Sequence, residues 1–287
     1  MKPAAFTYHR PVDIADALEL LARHAAEDGR VIAGGQSLVP IMAFRLARPA
    51  HLIDISRVSG LDHFGVVGSE LRFGALVRHA AFADAPCPGP LRELLARVMH
   101  AIAHMPIRGR GTFCGSLAHA DPASEWCLVA ATLDAIMVAA RRDGEREIAA
   151  RDFFTGVMST ALAPDELLRE VRLPLLPGDA RFGFAEFSRR AGDFAMASAL
   201  AVLRLAGGVI SEARIGVGGA EAFARRLEPA EASLIGQQAD EAAFARAARI
   251  AAASVDPLED AQTDAACRRD LVAAMVRRAL MQTMTNG

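Results

Sequence analysis

Two glycine-centred stretches hold the residues whose types and spacing bear on chemistry: "AGGQS", Ala33 to Ser37, and "RGRGTFCGSLAHADP", Arg108 to Pro122. Paired glycines let backbone N–H groups converge on an anion, because no Cβ blocks approach and positive φ is allowed. In the first stretch Gln36 adds an amide and Ser37 a hydroxyl. A tight strand-to-helix turn without a ligand fits the same pattern. In the second, Gly109, Gly111 and Gly115 are spaced G-x-G-x-x-x-G, with Arg108 and Arg110 as solvated charges or phosphate partners. Thr112, Ser116 and the neighbouring N–H groups can form a nest for a pyrophosphate, and a plain glycine-rich connection is the alternative.

Two common phosphate loops are excluded. A dinucleotide fingerprint follows a strand and opens a helix, whereas here a helical pattern ends near Met105 with Pro106 just after it. No G-x-x-x-x-G-K-[ST] occurs. "HADPASE" adds His119, Asp121 and Glu125, which suit metal ligation or acid–base work, while Asp121 alone suits a hydroxyl acceptor or a helix cap before Pro122. Cys114 reads as a redox thiol or, more commonly for a lone cysteine, as a small buried residue. "SRRAGDF" places Arg189, Arg190, Asp193 and Phe194 around a glycine turn, where Phe194 either covers a planar cofactor or joins the core.

Composition narrows the classes. The 287 residues, 52% hydrophobic and 23% charged, describe a folded chain larger than one average domain. A net charge of -2 removes the electrostatic argument for nucleic acid or an anionic membrane as the main partner. Cys87, Cys114, Cys127 and Cys267 show no C-x-x-C pair and no Cys/His ligand spacing, so no metal site is expected. The start lacks a signal-peptide pattern and no apolar run is long enough to span a membrane, so a cytoplasmic location with reduced thiols is expected.

The elements that must position these loops follow from periodicity. Apolar spacing predicts a helix over about 13–25 and another from Pro90 to about Met105. "RVIAGG", "HLIDIS" and "LRFGALV" read as short strands, and 133–154 as two strands joined at Asp143-Gly144. "ELLREVRLPLLPGDA" is a strand running into a Pro/Gly-rich link, the best domain boundary. Beyond it come three antiparallel strands and alanine-rich helices over 240–255 and 270–284, an α+β arrangement.

Taken together and in order, "AGGQSLVPIMAFRLARPAHLIDISRV", "IRGRGTFCGSLAHADPASE", "RDFFTGVMSTALAPDELLREVRLP" and "FSRRAGDFAMAS" resemble the FAD-binding medium subunits of the molybdenum hydroxylases. That family includes xanthine dehydrogenase, carbon monoxide dehydrogenase and quinoline oxidoreductase. The resemblance covers nearly the whole chain. It implies a two-part FAD-binding domain of the vanillyl-alcohol-oxidase-like (PCMH) type over 1–176, with subparts about 1–57 and 58–176. A C-terminal domain over 177–287, three antiparallel strands and a helical bundle, would follow.

The resemblance further implies non-covalent FAD with its pyrophosphate between the two loops. The matching positions are Ala33, Gly34, Gly35, Gln36, Ser37 and Leu38 in one, and Thr112, Cys114, Gly115, Ser116 and Ala118 in the other. Asp121 would meet the ribityl or nearby hydroxyls, Leu168 would pack on the flavin or adenine, and Arg190, Asp193 and Phe194 would reach the isoalloxazine. Many relatives read T-I-G-G-N where this chain has Thr112-Phe113-Cys114-Gly115-Ser116, so Cys114 marks a looser backbone approach. The implied role is electron transfer from two [2Fe-2S] clusters of a small partner subunit to an external acceptor. A large subunit with a molybdenum cofactor would hydroxylate the substrate, and no residue of this chain would be a general acid or base. The assembly would be a dimer of heterotrimers. A stand-alone flavin oxidoreductase and a non-catalytic nucleotide-binding assembly subunit are the alternatives.

Overall fold

The structure, a computed structural model, describes residues 2–261 and 263–285. The chain opens with β1 (Thr7–His9), α1 (Ile14–His24), β2 (Gly29–Ile32), α2 (Leu38–Ala43) and β3 (His51–Asp54). These strands form a parallel sheet in the order β1-β3-β2, with α1 and α2 as the crossovers. Asp13 starts α1 by accepting the Asp16 amide at 2.8 Å, and Ala17, Leu18 and Leu21 turn its apolar stripe inward.

The middle third runs β4 (Phe64–Val67), β5 (Glu70–Gly74), α3 (Pro90–Ala101), α4 (Met105–Arg108), α5 (Phe113–His119) and α6 (Glu125–Thr132). It continues through β6 (Ile136–Arg141), β7 (Gly144–Ala149), α7 (Ala150–Phe153), β8 (Phe154–Gly156), β9 (Ser159–Thr160) and β10 (Leu167–Pro174). A five-stranded antiparallel sheet results, ordered β4-β5-β10-β6-β7.

The last third holds β11 (Arg181–Phe187), β12 (Ala197–Ala206), β13 (Val209–Gly218), β14 (Arg225–Arg226), α8 (Glu228–Ala232), α9 (Glu241–Ser254) and α10 (Ala265–Gln282). The three expected antiparallel strands are joined at the edge by the two-residue β14. The sheet is covered on both faces, which is why Ala199 to Leu203 in the middle of β12 form an uninterrupted apolar run. Leu200 and Val202 face the core shared with α3 and α6, while Ala199, Ala201 and Leu203 face α9 and α10. Alanine on the second face lets helices pack close to the strands.

One expectation is corrected here. Residues 108–122 are not a long loop: α4 ends at Arg108, a four-residue turn follows, and α5 starts at Phe113. A seven-residue helix containing a glycine is too short to show a periodic signal.

Candidate functional site

Both glycine stretches lie at the start of a helix. The first links the end of β2 to α2, and Gly35 takes a left-handed backbone, φ 71°. The Gln36 side chain is not directed outward as a ligand amide: its Nε2 donates to the Gly34 carbonyl at 3.0 Å. No described hydrogen bond uses the amides of Gly35, Gln36, Ser37 or Leu38, although these residues are half-buried. Four neighbouring donors without an acceptor from the described residues suit an anionic group.

The second stretch is built around Thr112. Its Oγ1 accepts the Gly115 amide at 3.0 Å and caps α5. Phe113, Cys114 and Leu117 form the buried stripe of that helix, which leaves Gly115 and Ala118 exposed and Ser116 half-buried on the other side. Phe113 anchors the stripe in an aromatic cluster, its ring centroid 4.7 Å from Phe73, 5.2 Å from Phe82 and 4.6 Å from Trp126.

Cys114 therefore does not face the nest. It is 2% exposed, and its thiol donates to the Gly74 carbonyl at 3.6 Å. Burial pushes this thiol far above the usual cysteine range, which removes the redox reading. The expected looseness at this position is not needed, since the helical register sends its Cβ into the core.

The two stretches meet. A Cβ added to Gly34 would lie 2.2 Å from the Arg110 carbonyl oxygen and 2.7 Å from Gly111 Cα. Only glycine permits that approach. Gly111 is in turn pressed against His79, where an added Cβ would lie 2.4 Å from Nε2. No sequence motif points to His79, yet it ties the turn from two sides. Its amide donates to the Gly111 carbonyl at 3.0 Å, and its Nδ1 accepts from Trp126 Nε1 at 2.9 Å. Because the indole can only donate, His79 is neutral with its proton on Nε2. Burial lowers its pKa to about 4, in keeping with that state.

The arginines divide. Arg108 is a structural cation: its Nη1 donates to the carbonyls of Ile102 and Ala103 at 3.0 and 3.1 Å, closing the end of α3. Arg110 is exposed. Arg78, from outside both motifs, donates to the Gly109 carbonyl at 2.9 Å and fixes the turn.

Beyond α5 lies an open cleft of about 550 Å³, lined by Asp121, Pro122, Arg189, Asp193, Phe194 and Arg268 among others. It brings Asp121 together with Asp193 and Phe194, which lie far apart in sequence. The turn that carries Arg190 and Asp193 rests on the His104 ring through Gly192. Phe194 is 66% exposed, so it is not a core aromatic. The cleft does not include Arg190, Leu168 or the residues of the two glycine stretches up to Ala118. Leu168 is buried in the main core on β10.

His119, Asp121 and Glu125 do not converge as metal ligands. Asp121 Oδ1 instead accepts the Ala123 amide at 2.9 Å, shaping the turn into α6. Glu125 is buried at the start of α6, and burial raises its pKa to about 8, with Glu186 and Asp121 adding to the rise. Burial likewise raises Glu186 to about 7.

Comparison with known proteins identifies the family. Residues 4–176 match the FAD binding domain in molybdopterin dehydrogenase, and residues 182–283 match the CO dehydrogenase flavoprotein C-terminal domain. The nicotine 6-hydroxylase medium subunit of Paenarthrobacter nicotinovorans is 39% identical, over 98% of each chain. The carbon monoxide dehydrogenase medium chain of Afipia carboxidovorans is 34% identical, over 98% of this chain and 97% of that one. In a solved structure of carbon monoxide dehydrogenase from Hydrogenophaga pseudoflava, a chain 33% identical superposes with a TM-score of 0.94, covering 100% of this chain and 99% of that one. With matches over nearly the whole length, this chain belongs to the family of FAD-binding medium subunits of the molybdenum hydroxylases.

Proposed function

We propose that this chain is the electron-transfer subunit of a multi-subunit molybdenum hydroxylase, with FAD held non-covalently between the two glycine stretches. The observation that carries the placement is the backbone contact of Gly34 with Arg110 and Gly111, which brings the unpaired amides of Gly35 to Leu38 beside the turn that leads into α5. On the first side the amides of Gly35 to Leu38 would meet the pyrophosphate. On the second, Thr112 holds the turn while Gly115, Ser116 and Ala118 offer the open face of α5. Asp121 would accept from cofactor hydroxyls, and Arg190, Asp193 and Phe194 would border the flavin ring. Leu168 would back the site from within the core, and Ala33 would close the entry to the first turn.

Bound FAD supplies a centre that accepts electrons singly and passes them on in pairs. The chain's own contribution is to bind, orient and partly desolvate that centre. None of its residues is assigned as a general acid or base. The electrons would come from [2Fe-2S] clusters of a small partner, itself supplied by a large subunit that carries the molybdenum cofactor. We take the division at 176/177, with subparts about 1–57 and 58–176, as the working domain boundary, supported by the three separate main sheets. A dimer of heterotrimers in the cytoplasm is the corresponding assembly.

Reconstitution tests this reading. The purified chain should take up one FAD, and in the complex that flavin should be reduced by substrate only when both partners are present. Reduction by substrate in the chain alone would overturn the electron-transfer role in favour of a stand-alone oxidoreductase. Absence of flavin from the native complex would overturn it in favour of an assembly subunit. Mass measurement of the native complex tests the heterohexamer.

A further inference from the structure

Three histidines distant in sequence, at positions 9, 24 and 51, meet beside the parallel sheet. His51 opens β3 and His9 closes the neighbouring β1, two register positions along, so both side chains fall on one face. His24 ends α1, which packs against them. The His24 and His51 rings stack with centroids 3.8 Å apart, and His9 lies 4.8 Å from His24 and 5.1 Å from His51. One ring nitrogen from each lies within 4.8 Å of the other two. Glu27 stands beside them: its Oε2 is 2.9 Å from His51 Nε2, and its Oε1 is 3.9 Å from His24 Nδ1.

Hydrogen bonding accounts for only part of this cluster. His51 Nε2–H donates to Glu27, and His51 Nδ1 then accepts from His9 Nε2 at 2.9 Å. His24 Nδ1 is buried and has no hydrogen-bond partner among the described residues. A divalent cation would use this unpartnered nitrogen. It takes lone pairs from neutral imidazoles, and the adjacent carboxylate compensates its charge.

We propose that His9, His24 and His51, with Glu27 as fourth ligand or as the acceptor that orients His51, form a zinc site. Imidazole ligands suit zinc, and three histidines with one carboxylate or water complete a tetrahedron. Zn–N bonds of about 2.0–2.1 Å place neighbouring nitrogens roughly 3.4 Å apart, so rotation of the stacked rings closes the 4.8 Å span. The site would clasp β1, α1 and β3 together. No short Cys/His spacing announces it, which is why the sequence leads to the expectation of no metal.

The test is zinc titration of the chelator-treated full chain by calorimetry, with cobalt(II) absorption as a second readout. One zinc per chain should bind, Tm should rise with zinc, and cobalt should give the visible bands of a four-coordinate nitrogen site. The double variant His24→Asn/His51→Asn should lose at least about 100-fold in affinity, and Glu27→Gln about 10-fold. Absence of a one-equivalent step in the wild-type chain would overturn the proposal, whether or not the double variant folds. Undiminished zinc affinity in a folded double variant would overturn it equally.

Discussion

Gly34 and Arg110 touch through their backbones: a Cβ on the glycine would lie 2.2 Å from the arginine carbonyl oxygen. In the proposed placement of FAD, this contact is what joins the two stretches. Behind it stand Gly111, His79 and Trp126, each held by the next through a hydrogen bond or close packing. The clamp is therefore braced by the core, and a change at the contact can be read apart from global stability.

Gly34→Ala should force the stretches apart. Overpacking against a fixed backbone costs about 1–3 kcal/mol, and the displacement falls on the donors themselves. Flavin absorbance per chain should drop well below that of wild type, with a smaller loss in Tm. Gly109→Ala is the control, since a Cβ there meets its nearest atom at 3.5 Å and the backbone is already helical. Its flavin content should be that of wild type. Equal flavin content in Gly34→Ala and wild type would remove the clamp from the binding account.

Gly35→Asp should reduce FAD occupancy for a different reason. The left-handed backbone at φ 71° tolerates Asn and Asp better than most residues, so strain is similar for the two. The carboxylate, however, competes for the amides of Gly35 to Leu38 and repels a pyrophosphate. Gly35→Asn should therefore retain more flavin than Gly35→Asp, and the gap should narrow at high salt. Equal occupancy in the two variants would show that charge plays no part at this position.

What can be read from the chain depends on length and periodicity. The stripe of Ala17, Leu18 and Leu21 marks α1, and the alternating and continuous apolar runs mark β11 to β13. The glycines locate the clamp, because close backbone approach leaves a trace in residue type. Their partners leave none. His79 and Trp126 are 47 positions apart, and only the packing of α6 against the segment after β5 joins them. The direction of Cys114 is hidden because it depends on the register of a helix too short to detect. The three histidines escape for the same reason as His79, since β1, α1 and β3 each supply one.

Cys114→Gly should keep flavin and lose stability. Loss of the buried side chain leaves a small cavity, and glycine within a helix costs roughly 0.5–1 kcal/mol relative to alanine. A total of about 2 kcal/mol is expected, with Cys114→Ala costing less. Denaturant unfolding and flavin absorbance measured on the same samples separate the two effects. A thiol reagent should label exposed Cys267 and spare Cys114 in the folded chain. Loss of flavin without loss of stability would return the Cys114 side chain to the site.

Glu125→Gln should change how stability depends on pH. Burial raises the folded pKa of Glu125 to about 8 from a usual value of 4.5. Between those values the unfolded chain has released a proton that the folded chain keeps, so stability falls as pH rises from 4.5 to about 8. Each pH unit between the folded and unfolded values corresponds to about 1.4 kcal/mol, so the full effect amounts to several kcal/mol. Glu186, raised to about 7 by burial, acts in the same direction up to that pH. His79, lowered to about 4, acts oppositely: its contribution grows as pH rises from about 4 to 6.5. Subtracting the variant's profile from that of wild type cancels His79 and leaves Glu125. The glutamine form should gain on wild type steadily between about pH 5 and pH 8 and hold a constant lead above that range. Thermal unfolding across that range measures the difference, and a gap independent of pH throughout would place the Glu125 carboxyl in contact with water.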